Sequence, residues 1–521
     1  MIPISQRPAG FGSLKKDAVL RATAWWPLAG GVFALIWFVG LSPAAAQTTA
    51  ASTPVNLGSR LELFVDGGLI DRMDGAQLKL HSPIRAEKVL TFDKPWEGPT
   101  CGFFTVLEDQ GLFRLYYRGS ANNPRGNDRH SDEHPMTVCY AESRDGVNWV
   151  RPNLGLVEFR GSTDNNIMWM GQEALAFSPF IDTNPAAPAA ERYKATAAGI
   201  IPGRKQYALI GFTSPDGLRW TKLGDRSIIP DEESNAFDSQ NITFWDPNRT
   251  KYVTFYRAQK AGVRWTKFAA STNFSQWPAD SITWFDYGRA PMEQLYTSAA
   301  KPYPRAPHLY IGFPNRYHPH RSLPDQGINA GINDAVFMSS RDGIHWDRRF
   351  LEAFLRPGRD PLNWTDRNNY IAAGLVQTAQ DELSLYFSQN YRHGTAHLRR
   401  GVLRLDGMVS LHAGYEGGEM VTKPFIYQGD TLVLNFETSG AGSVRLELQD
   451  THGNPIPGYE LETFAPLWGD QIEHPVAWSA NPRWGTGLRK LEGTPLRLRI
   501  VLRDADVYSW QFRTAPPVGK P

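Results

Sequence analysis

Three carboxylates stand where this chain could do acid–base chemistry. They are Asp66 in Leu63-Phe64-Val65-Asp66-Gly67-Gly68, Asp238 in Phe237-Asp238-Ser239-Gln240-Asn241, and Glu293 in Met292-Glu293-Gln294-Leu295-Tyr296. Each lies beside a β-type run, so each could project from a strand end into one shared hollow. Two carboxylates in a common pocket can be driven apart in pKa, one ionised and one protonated. That division suits cleavage of a glycosidic bond: one group protonates the leaving oxygen, and the other drives water or attacks the sugar. Each acid also has a plainer reading. Asp66 could form a turn, Asp238 could cap backbone amides or pair with Arg257, and Glu293 could pair with Arg305 or Arg316.

Candidate substrate contacts surround these acids in the sequence: Glu97, Gln240, Asn241, Arg257, Asn368 and Asn369. Their plainer readings are a solvated loop acid for Glu97 and turn chemistry for the paired asparagines. Arg118 and His308 are weaker candidates, with packed structural roles favoured. Asp182 and Asp246 sit beside Asn184-Pro185 and Pro247 and read as turn residues. There is no phosphate-binding glycine loop and no His-Glu-x-x-His helix. The pairs His130/His134 and His318/His320 lack a third ligand, so neither a metal nor another cofactor is expected.

The elements that must hold these residues are announced by a repeated phrase. Ser143-Arg144-Asp145-Gly146-Val147-Asn148-Trp149 returns as Ser214-Pro215-Asp216-Gly217-Leu218-Arg219-Trp220 and as Ser340-Arg341-Asp342-Gly343-Ile344-His345-Trp346. A worn copy runs from Ser271 to Trp277, and Arg404-Leu405-Asp406-Gly407 keeps only the Asp-Gly. The intervals at the aspartate position are 71, 57, 69 and 64 residues. Such a repeat marks an array fold. Five copies of a β-rich unit predict a five-bladed β-propeller, whose first strands line a central channel. The phrase itself is turn chemistry: Asp accepts from nearby amides and Gly tolerates positive φ. Its aspartates therefore read as staples, and its tryptophans as cover for the seams between blades.

The predicted repeats span about 97–155, 160–225, 235–285, 290–350 and 366–411, with Leu295-Tyr296-Thr297 as the first strand of the fourth. The segment from Leu61 to His81 is expected to add a strand that closes the ring. After residue 411 the phrase stops, and alternating runs such as Ser443–Leu448 and Leu496–Leu502 predict an antiparallel β-sandwich over 412–515. The fold class is thus all-β, a five-bladed propeller (61–411) followed by a C-terminal sandwich.

Residues 1–46 read as a secretory signal peptide. Lys15, Lys16 and Arg21 precede an apolar run over 22–40, and Ser42-Pro43-Ala44-Ala45-Ala46 offers cleavage after Ala46. An uncleaved anchor is the alternative. Residues 47–60 read as a disordered lead-in. Export to the periplasm or medium follows, with no membrane contact after cleavage. A net charge of +2 and the lack of basic runs exclude nucleic acid as the expected partner. The 17 tryptophans are enough for blade packing and for stacking on sugar faces. Cys101 and Cys139 fall on the first and third strands of one repeat, about 9.5 Å apart. That exceeds disulfide reach, so either the thiols are free or the strand assignment needs correction; an export compartment allows a disulfide, and both readings stay open.

In layout, over about residues 60–515, the chain resembles the five-bladed propeller glycosidases of the invertase/levanase and arabinanase/β-xylosidase groups. The phrases around Asp66 and Asp238, and Arg367-Asn368-Asn369-Tyr370, also resemble a group of bacterial exported glycosyl-hydrolase-like proteins. The resemblance implies three acids on successive inner strands, by position Asp66, Asp238 and Glu293, and a carbohydrate substrate. The invertase-type Asn-Asp-Pro-Asn, Arg-Asp-Pro and Glu-Cys phrases are absent, so strand position alone places the triad. The Asp-Gly-Trp phrase is also similar to the Asp-box of sialidases; those use six blades and an arginine cluster, and five copies argue against them. An exported glycoside hydrolase is the leading expectation. A non-catalytic carbohydrate-binding propeller is the alternative. A lyase would require a tyrosine base such as Tyr296 or Tyr370.

Overall fold

The computed structural model describes residues 53–121, 134–201, 203, 205–231, 233, 236–323, 331–478 and 487–514. The signal-peptide segment and His130 lie outside the described residues.

Five four-stranded antiparallel sheets form the blades of a propeller. Blade one is Gly102–Asp109, Leu112–Gly119, Thr137–Ser143 and Ile167–Met170. Blade two is Ser178–Ile181, Tyr193–Ile200, Tyr207–Ser214 and Thr221–Lys222. Blade three is Ile242–Asp246, Lys251–Lys260, Val263–Ser271 and Thr283–Trp284. Blade four is Lys301–Tyr303, Ala306–Gly312, Met338–Ser340 and Trp346–Asp347, with an added hairpin Asn315–His318 and Ile332–Ala335. Blade five is Val376–Ala379, Glu382–Gln389 and His397–Arg404, completed by Ile84–Thr91 from ahead of blade one.

This closure corrects one expectation. The ring is shut by Ile84–Thr91, which pairs with His397–Arg404. The segment expected to do so instead leaves the propeller: Glu62–Leu63, Ile70–Asp74 and Gln77–Leu80 all pair into the C-terminal sheet. Part of the lead-in is also ordered, since Val55–Gly58 lies parallel to Phe425–Tyr427. In blade four the innermost strand is Lys301–Tyr303, and Leu295 makes only an isolated bridge to Arg316.

The C-terminal sandwich is built from one eight-stranded sheet around Thr431–Gln449 and Arg497–Arg513. Register shifts at Asn435/Phe436 and Thr438/Ser443 divide these long strands. Their inward side chains, among them Leu434, Phe436, Val444, Leu446, Ile500 and Trp510, share one core with Trp478.

Every copy of the repeated phrase lies at the end of a blade's third strand, and in the three full copies its aspartate acts as a staple. Asp145 Oδ1 accepts from the backbone N–H of Val147 and of Asn148, both at 2.8 Å, and Trp149 Nε1 returns to Gly146 O at 3.1 Å. Hydrogen bonds from Asn148, backbone then side chain, hold the Asp145 carboxyl well below the usual range. The Asp216 and Asp342 copies repeat this geometry. Gly146 has φ 74°, and a Cβ there would lie 2.8 Å from the Tyr386 hydroxyl of blade five. In the worn copy Phe274 replaces that glycine and packs its ring against Phe180 of blade two. The phrase thus staples each turn and docks it on the preceding blade.

Candidate functional site

The innermost strands all start at one mouth of the channel, and second strands end there. Each approach contains a left-handed residue: Phe103 (φ 55°), Phe237 (65°), Ala299 (43°), and Arg367 (57°) with Asn369 (61°). In blade two the place is taken by Gly171 at φ 134°. Non-glycine residues in this region cost about 1–3 kcal/mol each and persist only where surroundings over-determine them. Here they are held by side chains expected to bind substrate. Asn241 Nδ2 donates to Phe237 O (3.0 Å) and Ser239 O (2.9 Å), while its Oδ1 accepts from Arg257 N (3.1 Å). Asn368 Nδ2 donates to Thr365 Oγ1 (2.6 Å), and its Oδ1 accepts from Tyr391 N (2.8 Å). Asn369 Nδ2 donates to Asn333 O at 3.1 Å. Gln240 crosses the channel to Phe104 O (2.9 Å) and Thr105 Oγ1 (3.0 Å) of blade one. All four are buried and bonded to protein groups, so they position the mouth rather than face it.

Glu97 is likewise corrected. It is 1% exposed inside blade one, where it accepts from Tyr117, from Arg151 Nε (2.9 Å) and from Lys94 N (3.1 Å). Burial pushes its carboxyl up despite Arg151. Cys101 and Cys139 are free and buried, as the strand spacing requires.

Asp66 does not stand with the other two acids. Asp66 sits where the propeller meets the sandwich, paired to Arg341 (2.7 Å) and accepting from Gly68 N (2.8 Å). Its neighbours include Met420, Thr422 and Trp510 of the sandwich. The turn reading was correct for Asp66, and the common-hollow reading fails. Arg341 is shared with Glu62, an acid that sequence reasoning missed and that also pairs with His308. Glu293 gives one oxygen to Arg316 (3.2 Å) and the other to Arg348 (2.5 Å). Arg305, its alternative partner, binds Asp406 instead. Asp238 pairs with Arg257 at 2.5 Å, yet its side chain is 41% exposed at the mouth.

Around Asp238 the mouth is basic and aromatic. The guanidinium of Arg257 lies 5.4 Å from the Tyr296 ring centroid, and the Tyr296 and Tyr370 rings are 5.7 Å apart. Behind them, the Tyr391 hydroxyl oxygen accepts from Arg367 Nη1 (3.0 Å) and Arg118 Nη2 (3.3 Å). Arg392, also left-handed at φ 75°, clasps Asp366 through two bonds of 2.6 and 2.9 Å. Burial alone would raise the Tyr391 pKa, but Arg367, Arg118 and Arg392 together bring it below its ordinary 10.0. Tyr296 and Tyr370 are the opposite case: burial raises both. Sequence reasoning named those two and missed Tyr391; its neighbour Arg392 in Tyr391-Arg392-His393 was the available signal.

The channel's other end opens into a cavity of about 760 Å³ lined by all five innermost strands, with Phe180, Phe244, Trp245, Pro302, Phe313 and Val376 on its wall. None of the candidate acids reaches it.

No family model matches the chain. An uncharacterised protein of Mycobacterium tuberculosis, Rv1502, is 29% identical over 139 residues, 27% of this chain and 39% of that protein. The match therefore spans well under half of the curated relative's length. Among solved structures, the chain is similar to one described as a glycoside hydrolase, at 12% identity and TM-score 0.43, covering 62% of this chain and 92% of that one. It is similar to a Bombyx mori β-fructofuranosidase at 10% identity and TM-score 0.41, covering 82% and 95%. It is also similar to a Bacillus subtilis arabinoxylan arabinofuranohydrolase of glycoside hydrolase family 43, at 13% identity and TM-score 0.38, covering 81% and 97%. The five-bladed architecture rests on this chain's own strand order.

Proposed function

We propose that the protein is an exported glycosidase-like enzyme that acts on carbohydrate at the mouth where Asp238 stands. The observation that carries this reading is Asp238 itself: a carboxylate 41% exposed at the channel entrance, with Arg257 fixing its position. Tyr207 and Tyr296 lie close enough for its charge to act on both phenols. Aromatic faces beside a carboxylate suit a sugar ring, and hydrolysis transfers the glycosyl carbon from the leaving oxygen to water with a proton moved by the carboxylate. Asp66 has no part in this proposal. Glu293 remains in it as the second acid, reaching substrate only by giving up Arg316 or Arg348.

The alternative is a carbohydrate-binding propeller without catalysis. It is favoured by one observation, that both oxygens of Glu293 are already engaged by guanidiniums. A glycan panel with reducing-end readout, run on wild type, Asp238→Asn and Glu293→Gln, separates the two. Turnover in wild type that falls at least about a hundredfold in Asp238→Asn, with folding intact, supports the enzyme. Binding of a glycan with no release of reducing ends supports the alternative. Unchanged turnover in Asp238→Asn overturns the assignment of that residue.

A further inference from the structure

The electrostatics of the mouth depart from a neutral sugar site. Among the described residues, the guanidiniums of Arg118, Arg257, Arg367 and Arg392 gather there beside the carboxylates of Asp238 and Asp366. Arg257 is taken by Asp238 and Arg392 by Asp366. Arg118 has no carboxylate partner among the described residues. Arg367 has only a 3.9 Å approach to Asp366, whose oxygens Arg392 already holds. Among the described residues two cations are therefore left without a close carboxylate, and both donate to one phenol oxygen, Arg118 Nη2 also donating to Thr100 O at 2.7 Å.

That oxygen accepts twice and, among the described residues, donates to nothing. Two guanidinium donors thus converge on one oxygen, a placement that favours an acceptor there, the more so one that carries negative charge. Two further donors, Arg118 Nε and Arg257 Nε, are buried without an acceptor among the described residues, on residues about 5% exposed. An unpaired buried N–H is costly, so both could take a further acceptor at this mouth. Arg367 is the member that solvent reaches, with 37% of its side chain exposed and, among the described residues, one side-chain hydrogen bond, to Tyr391. Its left-handed backbone is fixed by its N–H donating to Asn333 Oδ1 (2.6 Å) and its carbonyl accepting from Ser388 Oγ (3.0 Å). The fork is thus set on a fixed backbone, with Nη1 on the Tyr391 hydroxyl and part of the side chain open to solvent.

We propose that this mouth receives an anionic saccharide, a chain whose rings carry carboxylate or sulfate groups, with Arg367 gripping the anion and Arg118 backing it across Tyr391. A planar guanidinium binds such an oxyanion through two parallel N–H donors, which a neutral hydroxyl cannot match. The inference rests on the carbohydrate reading above and names its substrate class. Asp238 stands across the mouth, paired with Arg257, so one side of the opening attracts an acidic ring while the other presents the carboxylate.

The test is affinity electrophoresis of the full protein through gels of pectate, alginate, glucuronoxylan and hyaluronan. Each polymer is run as the acid and after reduction of its carboxylates to alcohols, with carrageenan as the sulfated arm. At least one acidic polymer is expected to retard the protein about tenfold more strongly than its reduced form, with the preference weakening as salt rises. Retardation by carrageenan alone assigns the anion as sulfate; retardation by an acid form alone assigns it as carboxylate. Arg367→Gln is expected to bring the acid-to-reduced ratio close to one. Arg367→Lys, which keeps the charge and the fold but loses the fork, is expected to fall between. Equal retardation by acid and reduced forms without retardation by carrageenan, no retardation by any anionic polymer, or retardation by the anionic polymers that is unchanged in Arg367→Gln overturns the proposal. The readout is binding, so an anion preference without turnover leaves this inference standing and removes only the enzyme reading. Hydrolysis of neutral glycans without anion preference does the reverse.

Discussion

Tyrosines are used in two opposite ways in this molecule, at the seams between blades and at the substrate mouth. At three seams a tyrosine hydroxyl donates to an aspartate of the preceding blade. Tyr193 reaches Asp109, Tyr252 reaches Asp182 Oδ2 at 2.8 Å, and Tyr310 reaches Asp246. The three aspartates end equivalent innermost strands or follow them, and a cation sits beside each: Arg192, Lys194 and Arg249. Burial, joined by the neighbouring carboxylate, raises the phenols; Tyr252 and Tyr310 lie far above the ordinary value. At the mouth, Tyr391 has arginines where the seam tyrosines have an acid, and its shift has the opposite sign. The same side chain is a lock in one place and an anion-like acceptor in the other; the sign of the neighbouring charge decides which.

The comparison can be broken first at a seam. Asp182→Ala strands Lys194, whose side chain is 3% exposed, with only the more exposed Glu191 near it. We expect a loss of about 3 kcal/mol or more in denaturant unfolding, because a buried charge loses its principal partner. Saccharide binding at the mouth by the folded variant is expected to stay unchanged; a large change in it would show that seams and mouth are coupled.

The propeller–sandwich junction should behave like a seam. Burial raises the Glu62 carboxyl, but the His308 hydrogen bond and the charges of Arg341, His308 and Arg60 outweigh it, leaving a pKa of about 2 against an ordinary 4.5. A depressed acid stabilises the fold above the unfolded value and loses that contribution as pH falls through the folded one. The shift corresponds to about 3 kcal/mol, present above pH 4.5 and fading toward pH 2. Glu62→Gln is therefore expected to lower stability at pH 7 by about that amount and to flatten the acid limb of the stability curve. An acid limb as steep as that of wild type would refute the assignment.

The smallest effect on stability is expected at the mouth. Tyr391→Phe removes two hydrogen bonds onto one oxygen but leaves Arg118 bonded to Thr100 O (2.7 Å) and Arg367 open to solvent, so a change within about 1.5 kcal/mol at pH 7 is expected. Its spectroscopic effect is larger. Wild type should show a tyrosine ionising below 10.0 in ultraviolet titration, and the variant should lack that step. A titration identical in both proteins would place Tyr391 with the seam tyrosines.

The turn staples were legible because they are local. Asp145, Gly146 and Trp149 satisfy one another within a few residues, so spacing alone revealed them. Blade assignment followed, apart from ring closure, where Ile84–Thr91 gave no phrase to read and the strands near Leu61 joined the sandwich. Asp182 and Asp246 were correctly read as turn residues: each accepts the N–H two residues on, Asn184 and Asn248, both at 2.9 Å. Their second oxygen, which serves the next blade, was hidden because Tyr252 and Tyr310 lie more than sixty residues away in sequence. The acid triad failed for the same reason. Strand position gave each acid a plausible direction, but not the arginine that would claim it.

By itself the sequence determined the repeat count, the all-β character and the turn chemistry, because these depend on period, alternation and contacts within one hairpin. Only the tertiary structure decided where charge accumulates. Arg118 and Arg367 lie 249 positions apart, one on the second strand of blade one and one on the approach to blade five, yet they meet on a single oxygen of Tyr391. Ring closure brings those blades together, and electrostatic interaction depends on distance in space, not on distance along the chain.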